Sequence, residues 1–493
     1  MTVEEELRQE NTALREQVHL LKEKNDWQEA RIEELQRRTE QQEQQIEVLS
    51  QQVQSLQDHV KKDSHNSSLP PSSDRFSRQK RSLREKSGKK AGGQADHEGK
   101  TLSRCADPDQ VVVHPVERCE HCEADLRQVE RVGLERRQVI GLPVKRTVVV
   151  EHQTESKCCP HCQGLSSSSF PEDVRAPIQY GADIAAVAVY LCEQQLIPYA
   201  RTSEILEDLL DCPMSVGTIA TLIGRTASHL VGIEEQTKQA LREAKVLHND
   251  ETGCYVGGQR QWMHTTSTQT LTHYAVHAKR GKEALDAIDI LPRFHGVSIH
   301  DGWQTYFGYH CLHALCNVHH LRELKFFAEE KKQDWAADLV RVLLEMKRAV
   351  KQAMAAGQTS LEPQIRCQLV ARYEAAIAAG YQASPAEPPS AVPKKGRRAQ
   401  SKARNLLDRL STRQDAVLRF LDDFAVAFDN NLAERDLRMV KVQQKVSGCF
   451  RSGDGAQAFA RIRGYLSTLR KQGMKLLGAL EMALVGHPLS PAF

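Results

Sequence analysis

Leucine recurs every seventh residue at Leu7, Leu14, Leu21, Leu35, Leu49 and Leu56, interrupted only by Gln28 and Gln42. A second register, three residues ahead, holds Val18, Ile32, Ile46, Val53 and Val60 together with polar Asn11, Asn25 and Thr39. β-Branched residues at a, Leu at d and an occasional Asn at a favour a parallel two-stranded coiled coil. The spacing predicts such a coil over residues 1–60, and hence a homo-oligomer that is at least a dimer. A lone amphipathic helix is the alternative, disfavoured by eight heptads without Pro or Gly. The periodicity stops in residues 61–105, where Ser64–Asp74 is turn-forming and a basic stretch from Arg75 to Lys90 ends at Gly92-Gly93. The charge changes sign at the same boundary. Residues 1–60 hold 14 acids and 7 bases, residues 61–105 hold 12 bases and 5 acids. Such a segment cannot bury enough apolar surface to fold alone, so it reads as a solvated linker or as a basic arm for nucleic-acid phosphates.

Residues 106–170 carry Cys119-Glu-His-Cys122 and Cys159-Pro-His-Cys162, with a strand-like alternation at Lys145–Glu151 between them. Two paired thiolate knuckles joined by a hairpin match a closed, structural tetrahedral site. The expectation is one Zn²⁺ on Cys119, Cys122, Cys159 and Cys162, with Cys158 a rival in register for Cys159. Residues 171–245 read as helical. Pro198–Leu210, a Cys-Pro break and Ser215–Ile223 have helix–turn–helix spacing, with Ser215 as N-cap. Over residues 246–318 the period shortens to that of strands, at Val246–Asp250, Gln261–Thr265 and Leu271–Val276. A helix at Lys282–Ile290 and a strand at Gly296–Asp301 follow. Three strands, a helix and a further strand is the order of an RNase H-like core. Residues 319–428 are helical, interrupted by a Pro-rich loop at 384–393 that leads into basic Lys394–Arg398. The last segment, 429–493, starts helices near 430 and 454.

Length and composition narrow the class. A chain of 493 residues exceeds one hydrophobic core, which makes this a multidomain α+β protein. It is 40% hydrophobic and 27% charged with a mean hydropathy of −0.52, and it has no apolar run of membrane-spanning length. The acidic start, Met1–Glu6, reads as no export signal. The 13 cysteines then belong to a reducing, cytoplasmic setting in which paired thiols suggest metal before disulfide.

Carboxylates placed at the ends of neighbouring strands can converge and hold hard cations through oxygen. Asp250 and Asp301 are placed to do so. A third acid is offered by Asp429-Asn-Asn-Leu-Ala-Glu434-Arg-Asp-Leu-Arg438. Read as a helix, Asn430, Glu434, Arg438 and Lys441 share one face, and Leu437 and Val440 turn the other way. One acid among bases suits a metal–phosphate site, with Glu434 for the cation and the bases for DNA. The bland readings are an exposed helix with a Glu–Arg pair and a turn carboxylate at Asp250. Trp262 and Trp303 lie close in sequence to the acids, and core packing is expected of both.

Asp250-Glu-Thr252, His300-Asp-Gly-Trp303, Cys316-Asn-Val-His319 and Asp429-Asn-Asn-Leu-Ala-Glu-Arg435 resemble the signatures of the transposases of insertion-sequence family sixty-six. Ser64–Asp74 and Gly92–Gly99 resemble that family's linker, with Ala95 and Asp96 where Pro-Gly is usual. The resemblance covers nearly the whole chain. It implies a DDE transposase with an RNase H-like core, an α-helical insertion before the glutamate, and Asp250, Asp301 and Glu434 as ligands of two Mg²⁺ ions, for which Mn²⁺ can substitute. The implied reaction is strand cleavage at the ends of a mobile element, followed by transfer of the 3′-hydroxyl into target DNA. Double-stranded DNA would be the partner, contacted by Arg322, Arg435, Arg438, Lys441 and Lys445. Two small accessory proteins from the same element, and a bacterial, nucleoid-associated location, are further implications. The competing readings are a zinc-ribbon DNA-binding regulator without chemistry, and an inactive transposase remnant.

Overall fold

A computed structural model describes residues 3–62, 66, 104–140, 146–386 and 400–493. The basic arm between Arg75 and Lys90, most of Ser64–Asp74, Gly92–Gly99 and the Lys394–Arg398 cluster lie outside these residues. No helix among them is long and apolar enough to cross a membrane.

In chain order, helix α1 (Val3–Val60) precedes a two-stranded ribbon, β1 (Ser156–Cys158) and β2 (Leu165–Ser167). Helices α2 (Ala182–Val189), α3 (Tyr199–Leu210), α4 (Val216–His229) and α5 (Val231–Glu243) come next. The sheet strands are β3 (Val246–Val256), β4 (Gln259–Ser267), β5 (Thr272–His277), β6 (Val297–His300) and β7 (Leu312–Leu315), with α6 (Lys282–Ile288) before β6. Then follow α7 (Asn317–Lys325), α8 (Asp334–Ala355), α9 (Pro363–Ala383), α10 (Lys402–Thr412), α11 (Gln414–Asp422), α12 (Asn431–Val446), α13 (Gly453–Lys471) and α14 (Leu476–Leu484).

These elements form two compact units. One holds α1 and α7–α10. Leu339, Leu343 and Leu407 are fully buried in it, and the Tyr373 hydroxyl donates to the Leu410 carbonyl at 3.0 Å. Near the end of α1, Asp58 pairs with Lys331. Elsewhere on α1 the heptad residues Leu21, Ile46 and Leu56 are each more than 60% exposed.

The other unit is built on a mixed sheet of order β5-β4-β3-β6-β7. β3, β4 and β5 run antiparallel, while β6 and β7 lie parallel to β3. Period-two alternation splits β3 between two cores. Cys254 and Val256 join Met263 and Tyr274 under Leu437 and Val440 of α12. Leu247 faces the other way, towards Leu241, Phe294 and Tyr306. Helices α2–α4, α13 and α14 make a third core around Val189, Leu206, Ile219, Ile462 and Leu480.

Two expectations for strands change. Arg146–Glu151 alternates but forms no strand and is largely exposed, and among the described residues no strand pairs with it to take up its backbone groups. β3 does not end at Asp250. It continues to Val256, because every residue from His248 to Val256 pairs with β4. Ser215 does cap α4, its hydroxyl accepting from the Thr218 N–H at 3.1 Å.

Gly296 sits where the chain enters β6, and a Cβ there would fall 2.4 Å from the Lys245 carbonyl oxygen, 2.7 Å from Phe294 Cζ and 2.8 Å from the Ala244 carbonyl oxygen. Two of these neighbours are backbone and cannot rotate away. Gly296→Ala should therefore destabilise this unit by about 1–3 kcal/mol, read as a melting transition lower by roughly 2–4 °C per kcal/mol. An unchanged melt would contradict the packing described at this strand entry.

Candidate active site

Alternation along β3 puts Asp250 on the α12 side of the sheet with His248, Thr252 and Cys254, and puts Asn249 and Glu251 on the opposite side. The parallel register pairs His248 with Ile299. Continued for two residues, it brings Asp250 level with Asp301, the first residue after β6. There the chain turns on Gly302, whose φ of +93° favours glycine. The Asp301 carboxylate accepts from the Trp303 N–H at 2.8 Å, which fixes the turn.

Glu434 arrives from α12. Its N–H donates to the Asn430 carbonyl at 3.2 Å in the first turn, and Asn430 fixes that turn to the sheet. The buried Asn430 side chain bonds His248 Nδ1 at 3.0 Å through Oδ1 and donates from Nδ2 to the Asn249 carbonyl at 2.8 Å. Its N–H donates to Cys316 Sγ, just past β7, at 3.2 Å. One residue thus ties together the strand of Asp250, the end of the strand after Asp301 and the helix of Glu434. Lower down α12, the Lys441 ammonium donates to the Gly253 carbonyl at 2.7 Å, joined by Gln444 at 3.2 Å.

Asp250 feels the acids around it. Burial, and then the charges of Glu251, Asp301 and Glu434, hold the Asp250 carboxyl well above the ordinary carboxylate range. Like charges gathered in a low-dielectric site raise proton affinity, and a cation removes that penalty. Glu251 is a fourth acid with another task. Burial raises its pKa, while Tyr306 and Arg280 oppose the shift. Its side chain is 1% exposed and pairs with Arg280 at 2.6 Å.

Of the candidate DNA contacts, Arg435, Arg438, Lys441 and Lys445 lie exposed on α12, and Arg438, Lys441 and Lys445 continue the stripe of Glu434 at i+3 and i+4 spacing. Arg322 lies on α7, in the other compact unit.

The two cysteine knuckles have the same fold. Cys119 N–H donates to the Ala124 carbonyl and Glu123 N–H to the Cys119 carbonyl, both at 2.9 Å. Cys159, Gln163 and Gly164 repeat both bonds at 2.9 Å. Glu123 and Gln163 both adopt φ 58°. Backbone N–H groups of His121 and Cys122 lower the Cys119 thiol pKa, and those of Cys162 and His161 lower that of Cys159. Each turn is thus shaped to favour thiolate. Cys158 belongs to β1, outside the turn. Among the described residues, neither the three acids nor the four cysteines bring one ligand atom each within 4.8 Å of all the others.

Sequence patterning left two features unseen. Asn430 was legible only as a polar position on the Glu434 face, and Arg280 and Tyr306 gave no local sign of a bond to Glu251.

A family model described as "Family of unknown function (DUF6444)" matches residues 41–103, and no curated protein matches the chain. The model described as "Transposase IS66 family" matches residues 177–458, more than half of the chain and the span that contains Asp250, Asp301 and Glu434. The chain belongs to the IS66 family of transposases.

Proposed function

We propose that this transposase cleaves DNA at the ends of its mobile element and joins the freed 3′-hydroxyl to target DNA, with Asp250, Asp301 and Glu434 as the catalytic carboxylates. The observation that carries the reading is the sheet register that brings Asp250 level with Asp301, with the first turn of the Glu434 helix tied to the same strand through Asn430. The strand order, three antiparallel strands flanked by two parallel ones, supports an RNase H-like core.

The donor set is all carboxylate, which suits Mg²⁺ or Mn²⁺. Two such ions, when bound, supply an activated attacking oxygen and a stabilised leaving oxygen. The chain's own residues do the rest. Asp301 is held by the Trp303 N–H, and Glu434 by the Asn430 clamp. Arg438, Lys441 and Lys445 line the same helix face to position backbone phosphates. Water attacks the phosphodiester at the element end and the 3′-hydroxyl leaves. That hydroxyl then attacks a target phosphodiester, and a target 3′-hydroxyl leaves in turn. Incubating wild-type protein and the Asp250→Asn variant with duplexes carrying the element's terminal repeats tests the reading. Nicks should appear with the wild type alone, whereas equal nicking by both would defeat it.

Two further parts belong to the proposal. The twin knuckles are read as one structural Zn²⁺ site that closes when the metal draws both turns together. About one zinc per chain is expected in unchelated protein, and Cys119→Ser should lose the metal and unfold the ribbon. Protein purified with no zinc would count against it. The exposed heptad stripe of α1 is read as a parallel dimer seam. Deleting residues 4–60 should reduce the mass measured by light scattering, and an unchanged oligomer would reject the seam.

A further inference from the structure

Four side chains on the sheet face opposite Asp250 stack in a ladder that the reading above leaves without a task. The Arg260 guanidinium lies 4.8 Å from the Trp262 ring centre, Arg280 lies 5.0 Å from that same ring, and Arg280 lies 4.3 Å from the Trp303 ring. Trp303 in turn meets Tyr306 edge-on at 5.8 Å. Trp303 packs against the core of Leu241, Phe294 and Tyr306, as sequence patterning expects, yet neither indole is fully buried. Each is half-buried, and Arg260 is exposed beside Tyr255, its cross-strand neighbour, itself 53% exposed. Gly253 opposite Trp262 leaves the space into which Arg260 folds, with its guanidinium 3.5 Å from where a Cβ would be.

The ladder lies on the sheet face of Glu251 and Gly253, the reverse of the face that carries Asp250, and runs along β3 away from the level of Asp250. Glu251, which anchors Arg280, follows Asp250, and Trp303 is two residues beyond Asp301. Gly253 lies three residues along β3 from Asp250, about 10 Å away. Its carbonyl receives the Lys441 ammonium. Charge along this path is unbalanced. Arg260 and Arg280 share one indole, and Glu251 pairs with Arg280, whereas among the described residues Arg260 has no carboxylate partner. Two like charges on one ring invite an anion to offset them.

We infer that the Arg260–Trp262–Arg280–Trp303 ladder is a binding track for unpaired nucleotides beside the cleaved phosphodiester. Bases stack on its exposed ring and guanidinium planes, and phosphates lie along Arg260 and Lys441. Stacking of this kind needs an open base face, which a duplex hides and a single strand offers. The inference rests on the proposed role of the neighbouring acids, but its test reads binding alone.

The full chain, without added divalent cation, would be titrated into a single-stranded dodecamer carrying one 2-aminopurine, and into a blunt duplex of the same length. Wild-type protein should change the 2-aminopurine emission on binding. Trp262→Ala should weaken single-strand binding about tenfold or more and abolish the emission change, while duplex affinity stays within about twofold. Trp262→Phe, which keeps a ring, should retain most of both signals. Arg260 is exposed and donates no hydrogen bond to the described residues, so Arg260→Ala serves should Trp262→Ala fail to fold. It should weaken single-strand binding and flatten its salt dependence. Single-strand affinity and emission unchanged in both alanine variants would overturn the inference, as would equal losses on single strand and duplex. Since no cleavage is read, neither result bears on whether Asp250, Asp301 and Glu434 are catalytic.

Discussion

Glu434→Gln should reduce strand cleavage at element ends by on the order of a thousandfold or more, the scale expected when a metal clamp loses a charged ligand. The substitution keeps the shape and helix propensity of the residue and removes only the charge. α12 should persist, because Leu437 and Val440 still pack on Cys254, Met263 and Tyr274 and Asn430 still holds the first turn. Binding to element ends should survive, since Arg435, Arg438, Lys441 and Lys445 are untouched. Asp250→Asn and Asp301→Asn should behave alike, and a pair of these changes should cost little more than one, because the acids act as a unit. Gel-resolved nicking together with filter binding on the same preparation separates the effects. Near wild-type nicking by Glu434→Gln would move the search to Asp429 or Asp436. Loss of binding as well as cleavage, with a lowered melt, would assign Glu434 a folding role instead.

Asn430→Ala should be the most damaging change outside the acids. It removes the partner of His248 Nδ1 and the amide that donates to the Asn249 carbonyl. An unsatisfied buried group costs about 1–3 kcal/mol, so the melting temperature should fall by several degrees. Cleavage should fall further than stability explains, by roughly 10–100-fold, as when a residue that orients a metal ligand is lost. The distinguishing sign is the metal titration. Raising Mn²⁺ should recover much of the Asn430→Ala activity, because Glu434 is displaced but present, and should recover none for Glu434→Gln. A defect that no metal concentration relieves, in a variant that melts normally, would remove Asn430 from the positioning role.

These expectations draw on features unequally visible in the sequence. The heptads over 1–60 mark α1 because its packing pattern is local and repeated for 58 residues. The Cys-Pro break and Ser215 mark the start of α4 because a cap is also local. Asp301 is legible as the end of β6, where a short buried run meets a glycine. β3 was cut short because its second half, Glu251–Val256, mixes polar and apolar residues that serve two different layers. β7 went unseen because four residues, Leu312–Leu315, make too short a run to show a period. Arg146–Glu151 misled in the opposite sense, since alternation signals a strand only where a partner strand receives it, and none among the described residues does. The Asn430 clamp and the Glu251–Arg280 pair were beyond local reading altogether. They join positions 182 and 29 residues apart, and only the closed sheet brings them together. The three acids could be named ahead of the fold through the resemblance, whereas what holds them in place could not.

The most direct test of the central claim exchanges a carboxylate for a thiolate. Asp250→Cys and Asp301→Cys replace hard oxygen ligands with a sulfur that binds Mg²⁺ poorly and Mn²⁺ better. With a duplex carrying the element's terminal repeat, both variants should leave the DNA intact in Mg²⁺ and regain cleavage in Mn²⁺, while Asp250→Ala and Asp301→Ala stay inactive in either ion. Cleavage by the cysteine variants in Mg²⁺ at the wild-type rate, or no difference between cysteine and alanine in Mn²⁺, would contradict the assignment of these carboxylates to a catalytic metal.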